Sequence, residues 1–248
     1  MQRRCALDCA RRAWSGVYRC SGGRADRARG VKGLRIALPA GTLFDGACDL
    51  LRSAGVARID AAVFDRSLCV EESGNALIKV RPADVPVYVE MGAADCGVVG
   101  KDVLWESARD CYELVDLRFG ACRLVLAAPE GAALARGDWS GSLRVATKYP
   151  ESARRFFAGM AVTVELIRLN GAVELAPAAG LADAVLDITA TGQTLRANHL
   201  VEIAEAGSST ARLIANQAAL KTRSDSVNTL AAALRRAADS VRGAEGAA

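Results

Sequence analysis

Residues 181–198 carry the strongest chemical signal in the sequence, Leu-Ala-Asp-Ala-Val-Leu-Asp-Ile-Thr-Ala-Thr-Gly-Gln-Thr-Leu-Arg-Ala-Asn. We predict an apolar strand ending at Asp187, a short polar loop containing Gly192, and then the start of a helix. Successive backbone N–H groups at such a helix start favour an anion. Asp187 at the strand end could accept hydrogen bonds from ribose hydroxyls. The segment therefore suits a sugar phosphate, while a plain helix cap is the alternative interpretation.

The residue types in the loop fit this chemistry. Gly192 allows a backbone conformation closed to other residues and leaves the ligand's path free of a side chain. The neighbouring threonines could add hydroxyl donors. The patterns GxxxxGK[ST] of nucleotide loops and GxGxxG of dinucleotide loops are both absent from the sequence. We expect substrate binding along the whole segment, at Asp187, Thr189, Ala190, Thr191, Gly192, Gln193, Thr194 and Leu195.

The elements that must position this loop alternate along the chain. Short apolar runs of the kind buried in sheets are separated by segments with helical periodicity. This alternation predicts an α/β fold with mostly parallel sheets. The predicted strands are 34–39, 76–81, 95–100, 123–128, 144–147, 162–169, 184–188 and 200–203, and the predicted helices are 43–51, 84–88, 152–158, 194–198 and an amphipathic segment from Asp225.

Several blocks of the sequence resemble the ATP phosphoribosyltransferase family, in the family's order and with natural spacing between residues 33 and 222. The loop itself is similar to the family's phosphoribosyl pyrophosphate loop. The other matching blocks are 84–90 (D-V-P-x-Y-V-E), 92–102 (G-A-A-D-x-G-V-x-G-K-D), 145–150 (A-T-K-Y-P), 170–177 (G-S-V-E-x-A-P), 180–183 (G-L-A-D) and the return strand at 211–217.

The resemblance implies two α/β domains like those of a type II periplasmic binding protein, with the ligand in a cleft between them. The first domain would comprise 33–121 and 210–243, and the second, 122–209, would carry the loop. The family reaction joins N1 of the adenine of ATP to C1 of phosphoribosyl pyrophosphate. Positive charge develops on the sugar and negative charge on the leaving pyrophosphate, so the protein must supply placement and electrostatics.

The resemblance also implies residue roles. Arg66, Arg81, Glu174 and Asp187 would be catalytic, with the arginines reaching ATP or pyrophosphate and Glu174 lying near the ribose or metal. Lys101 and Thr147 would bind substrate at strand ends. Mg²⁺ is implied as a cofactor held mainly by pyrophosphate, without a cage of protein ligands. From the residues alone, Glu174 could equally be a solvent-facing carboxylate at a helix start, whereas a lone arginine is usually a solvated surface charge.

Three positions depart from the family pattern. Relatives commonly have P-K-G-R-L after the first strand, whereas this chain has Ala40 and Thr42 at the two positively charged positions. Ala172 replaces a frequent serine. Each lost charged contact would remove roughly 1.5–3 kcal/mol. A second hypothesis is therefore a catalytically weakened ligand-binding or regulatory homologue, and a third is a periplasmic solute-binding protein of the same fold.

Composition and charge limit the partners. Residues 1–31 contain eight arginines and two aspartates, a local charge of +6, which exceeds the +4 of the whole chain, so the remainder is slightly acidic. We expect no nucleic-acid partner. No apolar run approaches the ~18 residues of a membrane span. We expect the Arg-rich segment to be a disordered extension or an upstream start codon, with an organelle transit peptide as the alternative.

The eight cysteines include no CxxC pair and several lie in apolar runs. We interpret them as buried reduced thiols of a cytoplasmic protein, since a metal cluster would need ligand spacing that the sequence lacks. The length predicts the short form of the family, without the C-terminal histidine-sensing domain of the long form. The resemblance then implies a hetero-octamer with a regulatory subunit like histidyl-tRNA synthetase.

Overall fold

Two β-sheets with helices on both faces make up the structure, a computed structural model that describes residues 31–59, 63–64 and 67–245. The extension 1–30 and Arg66 lie outside the described residues. The first part of the chain forms β1 (Arg35–Pro39), α1 (Phe44–Ser53), β2 (Cys69–Glu72), β3 (Asn75–Val80), α2 (Val85–Glu90), β4 (Cys96–Gly100), α3 (Lys101–Ser107) and β5 (Tyr112–Asp116).

The chain then enters the second sheet and returns. The second sheet and its helices are β6 (Cys122–Pro129), β7 (Ser142–Thr147), α4 (Pro150–Phe157), β8 (Thr163–Arg168), β9 (Ala184–Thr189), α5 (Gln193–Ala197) and β10 (Leu200–Ser209). The return consists of β11 (Ala211–Ala215), α6 (Gln217–Thr222) and α7 (Ser224–Glu245). In the part of the chain that the structure describes, no helix is both long and apolar enough to cross a membrane.

The two α/β sheets are confirmed, but their strands are not mostly parallel. The first sheet has the order β2-β3-β1-β4-β11-β5, and the second has the order β10-β6-β9-β7-β8. Each contains three adjacent parallel strands, β3-β1-β4 and β9-β7-β8, while every other pair is antiparallel. The antiparallel pairs come from a hairpin reversal or join strands that are distant in the sequence, and apolar runs alone reveal neither.

One such reversal is a tight hairpin between β2 and β3. Glu72 pairs with Asn75, so the loop has two residues, Ser73 and Gly74. Both have positive φ, 53° and 80°. A two-residue loop with positive φ at both positions is the type I′ geometry that matches the twist of a hairpin. The sequence patterns did not predict β2, because its pairing depends on this turn.

Helices cover both faces of each sheet. In the first sheet, α1 and α7 pack on one face through residues such as Leu51 and Leu230, and α2 packs on the other through Val85 and Val89. In the second, α4 covers one face, and α5 with the 3₁₀ turn Val173–Leu175 covers the other. Burial on both faces explains why the central strands are continuous apolar runs in the sequence.

The chain passes between the sheets twice, and the two passages are hydrogen-bonded together. The amide of Leu117 donates to the carbonyl of Ala211, and the amide of Ala211 donates to the carbonyl of Phe119, both at 2.9 Å. The hydroxyl of Thr210 also donates to Asp116 at 2.8 Å. The second sheet therefore lies entirely within one excursion of the chain, residues 122–209.

Candidate active site

The loop after β9 turns sharply at Gly192 and leads directly into α5. Gly192 has a φ of +71°, in the left-handed region that favours glycine. Its carbonyl accepts the amide of Arg196 at 3.1 Å, which begins the helix. The side chain of Leu195 is buried and anchors the loop in the core, whereas Thr191, Gln193 and Thr194 are exposed. The loop therefore lies on the surface and is held in place by the buried side chain of Leu195.

Several amides of this loop remain open for a ligand. The amide of Gly192 donates to Oγ1 of Thr189 at 2.8 Å, and that of Gln193 lies 3.5 Å from Oγ1 of Thr191. Within residues 67–245, the amides of four other loop residues make no hydrogen bond to the protein: Ala190, Thr191, Thr194 and Leu195. Unpaired donors at a helix start are what an anion requires.

Asp187 lies half-buried at the end of β9, next to this loop. Burial raises the pKa of Asp187 above its ordinary value, and the charge of Glu174 raises it further. A hydrogen bond from the amide of Ile188, at 2.8 Å, and the charge of Lys148 act in the opposite direction. The structure thus places Asp187, next to the loop, within reach of the charges of Glu174 and Lys148.

The reason for glycine at position 192 differs from the sequence-based expectation. The sequence predicts that a side chain there would obstruct the ligand. A Cβ at Gly192 would instead lie 2.9 Å from Nη1 of Arg196 and 3.0 Å from Oε1 of Glu202, both protein atoms. Oε1 of Glu202 also accepts a hydrogen bond from Arg123 at 3.0 Å. Glycine is therefore favoured by its positive φ, and an added Cβ would displace the flexible ends of Arg196 and Glu202.

The other expected cationic region is the carboxyl edge of β1 and β3. Pro39 pairs with Val80, and the amide of Ala40 donates to the carbonyl of Val80 at 2.7 Å, so the turn at Ala40 lies beside Arg81. Arg81 is exposed, and no ion pair to it occurs in the described part of the chain. No hydrogen bond joins Arg81 to the loop after β9 among those residues. Arg66, the other expected arginine, falls outside the described residues.

Two expected substrate-binding residues are engaged within the protein. Lys101 forms an ion pair with Glu113. Thr147 is fully buried, its hydroxyl donates to the carbonyl of Leu186 at 2.6 Å, and it accepts the amide of Tyr149 at 2.8 Å. The hydroxyl of Thr147 thus joins the ends of β7 and β9, and substrate binding by Thr147 stays a prediction.

The sequence patterns also missed the charged residues behind the loop. Arg196, Arg123 and Glu202 lie against Gly192 or bind one another there. Arg196 follows Thr191 by five residues. This short separation is the only feature of the sequence that could have indicated a contact between Arg196 and the loop. Arg123 and Glu202 come from β6 and β10, so only the sheet pairing reveals them.

A separate cavity of about 450 Å³ lies at the opposite, amino-terminal end of β7 and β9. Leu134, Trp139, Arg144, Val162 and Asp183 are among its lining residues. Arg144 and Asp183 are bound to each other there, with Nη2 and Oδ1 2.8 Å apart. None of the expected site residues lines this cavity, so it is distinct from the site beside Asp187.

The two mixed α/β sheets define a fold of the type II periplasmic-binding-protein class. Solved structures agree on the fold. The aliphatic sulphonate binding protein SsuA of Escherichia coli matches with a TM-score of 0.57 at 14% identity, covering 87% of this chain and 75% of that one. This confirms the predicted fold class.

The particular family follows from closer relatives. The family model described as ATP phosphoribosyltransferase matches residues 81–236. ATP phosphoribosyltransferases of Moorella thermoacetica and Thermoanaerobacter sp. (strain X514) are 47% and 45% identical to this chain, covering 83% and 81% of it and 93% of each relative. The chain belongs to the ATP phosphoribosyltransferase family.

A solved structure from this family matches over nearly its whole length. The ATP phosphoribosyl transferase (HisG:HisZ) complex from Thermotoga maritima has a chain that is 32% identical, with a TM-score of 0.72. The match covers 84% of this chain and 99% of that one. The resemblance seen in the sequence motifs is thereby confirmed.

Proposed function

We propose that this chain transfers the phosphoribosyl group of phosphoribosyl pyrophosphate to N1 of the adenine of ATP. The products are phosphoribosyl-ATP and pyrophosphate, in the first step of L-histidine biosynthesis. The observation that carries this proposal is the exposed loop with unpaired amides next to the half-buried Asp187, in a chain of the ATP phosphoribosyltransferase family. The relatives' names support the same activity.

The loop and the carboxylate of Asp187 bind different parts of the sugar phosphate. The open amides from Ala190 to Leu195 hold the 5′-phosphate of the donor, and the exposed hydroxyls of Thr191 and Thr194 add donors. Asp187 accepts hydrogen bonds from the ribose hydroxyls. Held at both ends, C1 of the ribose is presented to the attacking adenine nitrogen, which is the placement that a substitution without an enzyme nucleophile requires.

Glu174 and Asp187 also fit a Mg²⁺ ion that arrives with pyrophosphate. Burial is the main cause of the raised pKa of Asp187, and the negative charge of Glu174 raises it further. A divalent cation would relieve that repulsion. Such an ion, held mainly by pyrophosphate oxygens, neutralises the leaving group when bound. The carboxylates of this chain orient the ribose and position the metal-bound donor.

The arginines complete the electrostatics of the reaction. Arg81, exposed at the carboxyl edge of β3, would bind phosphate oxygens of ATP or pyrophosphate, and Arg66 would act with it. Lys101 would have to exchange its partner Glu113 for substrate. Thr147 would likewise have to release one of the contacts of its hydroxyl at the ends of β7 and β9 to bind substrate.

We also propose the domain division 33–121 with 210–243, and 122–209, with the ligand cleft between the two. The partner is a regulatory subunit like histidyl-tRNA synthetase, in a hetero-octamer, and the HisG:HisZ complex of Thermotoga maritima supports such a partner. A cytoplasmic location fits the chemistry of the cysteines. Cys48 and Cys96 are free thiols, and burial raises their pKa values to about 11 and about 12.

A turnover assay tests the proposal. ATP and phosphoribosyl pyrophosphate are mixed with the chain and Mg²⁺, with and without the regulatory subunit, and phosphoribosyl-ATP is measured. Product in at least one condition is expected. Absence of product in both, together with intact donor binding, would instead identify the weakened regulatory homologue.

A further inference from the structure

We propose that Arg196 is a positioning residue that holds the phosphate loop in its binding conformation, an inference that rests on the proposed function. Nη2 of Arg196 donates to the carbonyl of Thr191 at 2.9 Å. The same peptide unit ends in the amide of Gly192, which donates to Oγ1 of Thr189 at 2.8 Å. Side chains from both sides of the loop therefore hold a single peptide plane.

The glycine that follows makes this peptide able to rotate. It precedes Gly192, whose φ of +71° is only one of several conformations open to a glycine. If the peptide rotated, the carbonyl of Thr191 would lose its contact with Arg196 and would be free to turn toward the ligand. A carbonyl oxygen repels an anion, so the loop must keep this oxygen directed away from the phosphate.

The charge of Arg196 remains available to an anion near the loop. The side chain is exposed, and no carboxylate forms an ion pair with it in the described parts of the chain. The nearest candidate, Glu202, has Oε1 and Oε2 occupied by Arg123, at 3.0 and 2.9 Å. The cation therefore lies beside the loop without an ion pair of its own. It both fixes the Thr191 carbonyl and adds positive potential behind the open amides.

The fold offers a closely matched control elsewhere in the same sheet unit. Nη1 of Arg136 donates to the carbonyl of Gly131 at 2.9 Å, also across five residues, and Arg136 is also exposed. Arg136 lies outside the site described above. The variants Arg196→Met and Arg136→Met thus remove the same type of contact, one at the loop and one away from it.

The test measures dissociation constants by calorimetry for phosphoribosyl pyrophosphate, ribose 5-phosphate and pyrophosphate. In Arg196→Met we expect the dissociation constants of phosphoribosyl pyrophosphate and ribose 5-phosphate to rise by the same factor. That factor should be about tenfold, the change in affinity that corresponds to the loss of one charge-assisted hydrogen bond. The constant for pyrophosphate should stay within twofold of wild type. Arg136→Met should leave all three unchanged, and Arg196→Lys should recover part of the loss because it keeps the charge.

Steady-state kinetics provide a second readout that a general loss of structure would not reproduce. For Arg196→Met we expect KM for the donor to rise about tenfold with kcat within about twofold, since saturating donor restores the loop. Donor and ribose 5-phosphate affinities equal to those of Arg136→Met would overturn the inference, as would an equal loss for pyrophosphate. If the wild-type chain fails to bind ribose 5-phosphate, the loop assignment in the proposed function is overturned first, and this inference with it.

Discussion

The carboxylate of Glu106 binds Ser152 across the junction of the two sheet units. Oε2 of Glu106 accepts the amide of Ser152 at 3.1 Å and its hydroxyl at 3.2 Å, and both carboxylate oxygens lie 3.1 Å from the amide of Glu151. Glu106 belongs to α3 and Ser152 to the first turn of α4. A carboxylate from one unit therefore caps a helix of the other and complements its dipole.

Removal of this contact should loosen the junction. For Glu106→Ala we expect a loss of about 1 kcal/mol in unfolding free energy, the usual effect of losing a helix cap. We also expect a larger radius of gyration without ligand, measured by small-angle X-ray scattering. Glu130→Ala, at an exposed glutamate without a side-chain partner in the described chain, is the control. Equal radii for the two variants would show that Glu106 does not hold the units together.

Substitution of Asp187 should separate stability from activity. Its folded-state pKa is raised by burial, so the stability associated with this group is greatest at low pH and is lost as pH rises through the folded pKa. At neutral pH the buried charge destabilises the fold, and asparagine carries no such charge. Asp187→Asn should therefore unfold at a higher temperature near pH 7, an advantage that shrinks at low pH.

The same Asp187→Asn variant should lose roughly 10- to 100-fold in turnover efficiency, because charge-assisted hydrogen bonds to the ribose are weakened. Calorimetric unfolding and kinetic assays at several pH values measure both effects. A variant that is less stable than wild type at pH 7, yet fully active, would contradict the assigned role and environment.

Gly192 and Gly180 form a natural comparison. Both have a φ of +71°, but a Cβ at Gly192 would contact Arg196 and Glu202, whereas one at Gly180 would meet nothing within 4 Å. Alanine at either position carries similar backbone strain, about 1 kcal/mol. We expect Gly192→Ala to weaken donor binding at least tenfold and Gly180→Ala to leave it unchanged, as measured by calorimetry. The larger Gly192→Val should abolish binding; similar affinities in the two alanine variants would remove the special role of position 192.

The turn after β1 should accept the two positively charged side chains that relatives commonly have there. Thr42 is exposed, and Ala40 lies beside the exposed Arg81 at the same sheet edge. We expect Ala40→Lys or Thr42→Arg to tighten ATP binding or raise turnover several-fold, because a cation is added opposite phosphates. Steady-state kinetics with ATP as the varied substrate measure the effect. Loss of activity in both variants would mean that the turn approaches the substrate differently in this chain.

Local sequence patterns predicted the central strands and the loop, because their physical causes are local. The apolar run 184–188 corresponds to β9, and the Thr-Gly-Gln-Thr segment after it forms the expected turn into α5. Gly55 follows α1 with a φ of +67°, as a left-handed helix end requires. Each of these features depends on a few adjacent residues.

Long-range partners could not be predicted in this way. Lys101 and Thr147 stand at strand ends in the sequence, but Glu113 and Leu186, which engage them, are brought near only by the sheet pairing. The contact between Glu106 and the start of α4 has the same origin. Charge pairing and burial of such side chains depend on the assembled fold, which single-sequence periodicity does not encode.

Amide hydrogen exchange across the loop after β9 tests the central claim most directly. The amides of Ala190, Thr191, Thr194 and Leu195 make no hydrogen bond to the described protein, so they should exchange quickly in the free chain. Saturating phosphoribosyl pyrophosphate should protect them strongly, with little change for the amides around Gly180. Full occupancy by the donor with unchanged exchange at these four amides would contradict the account.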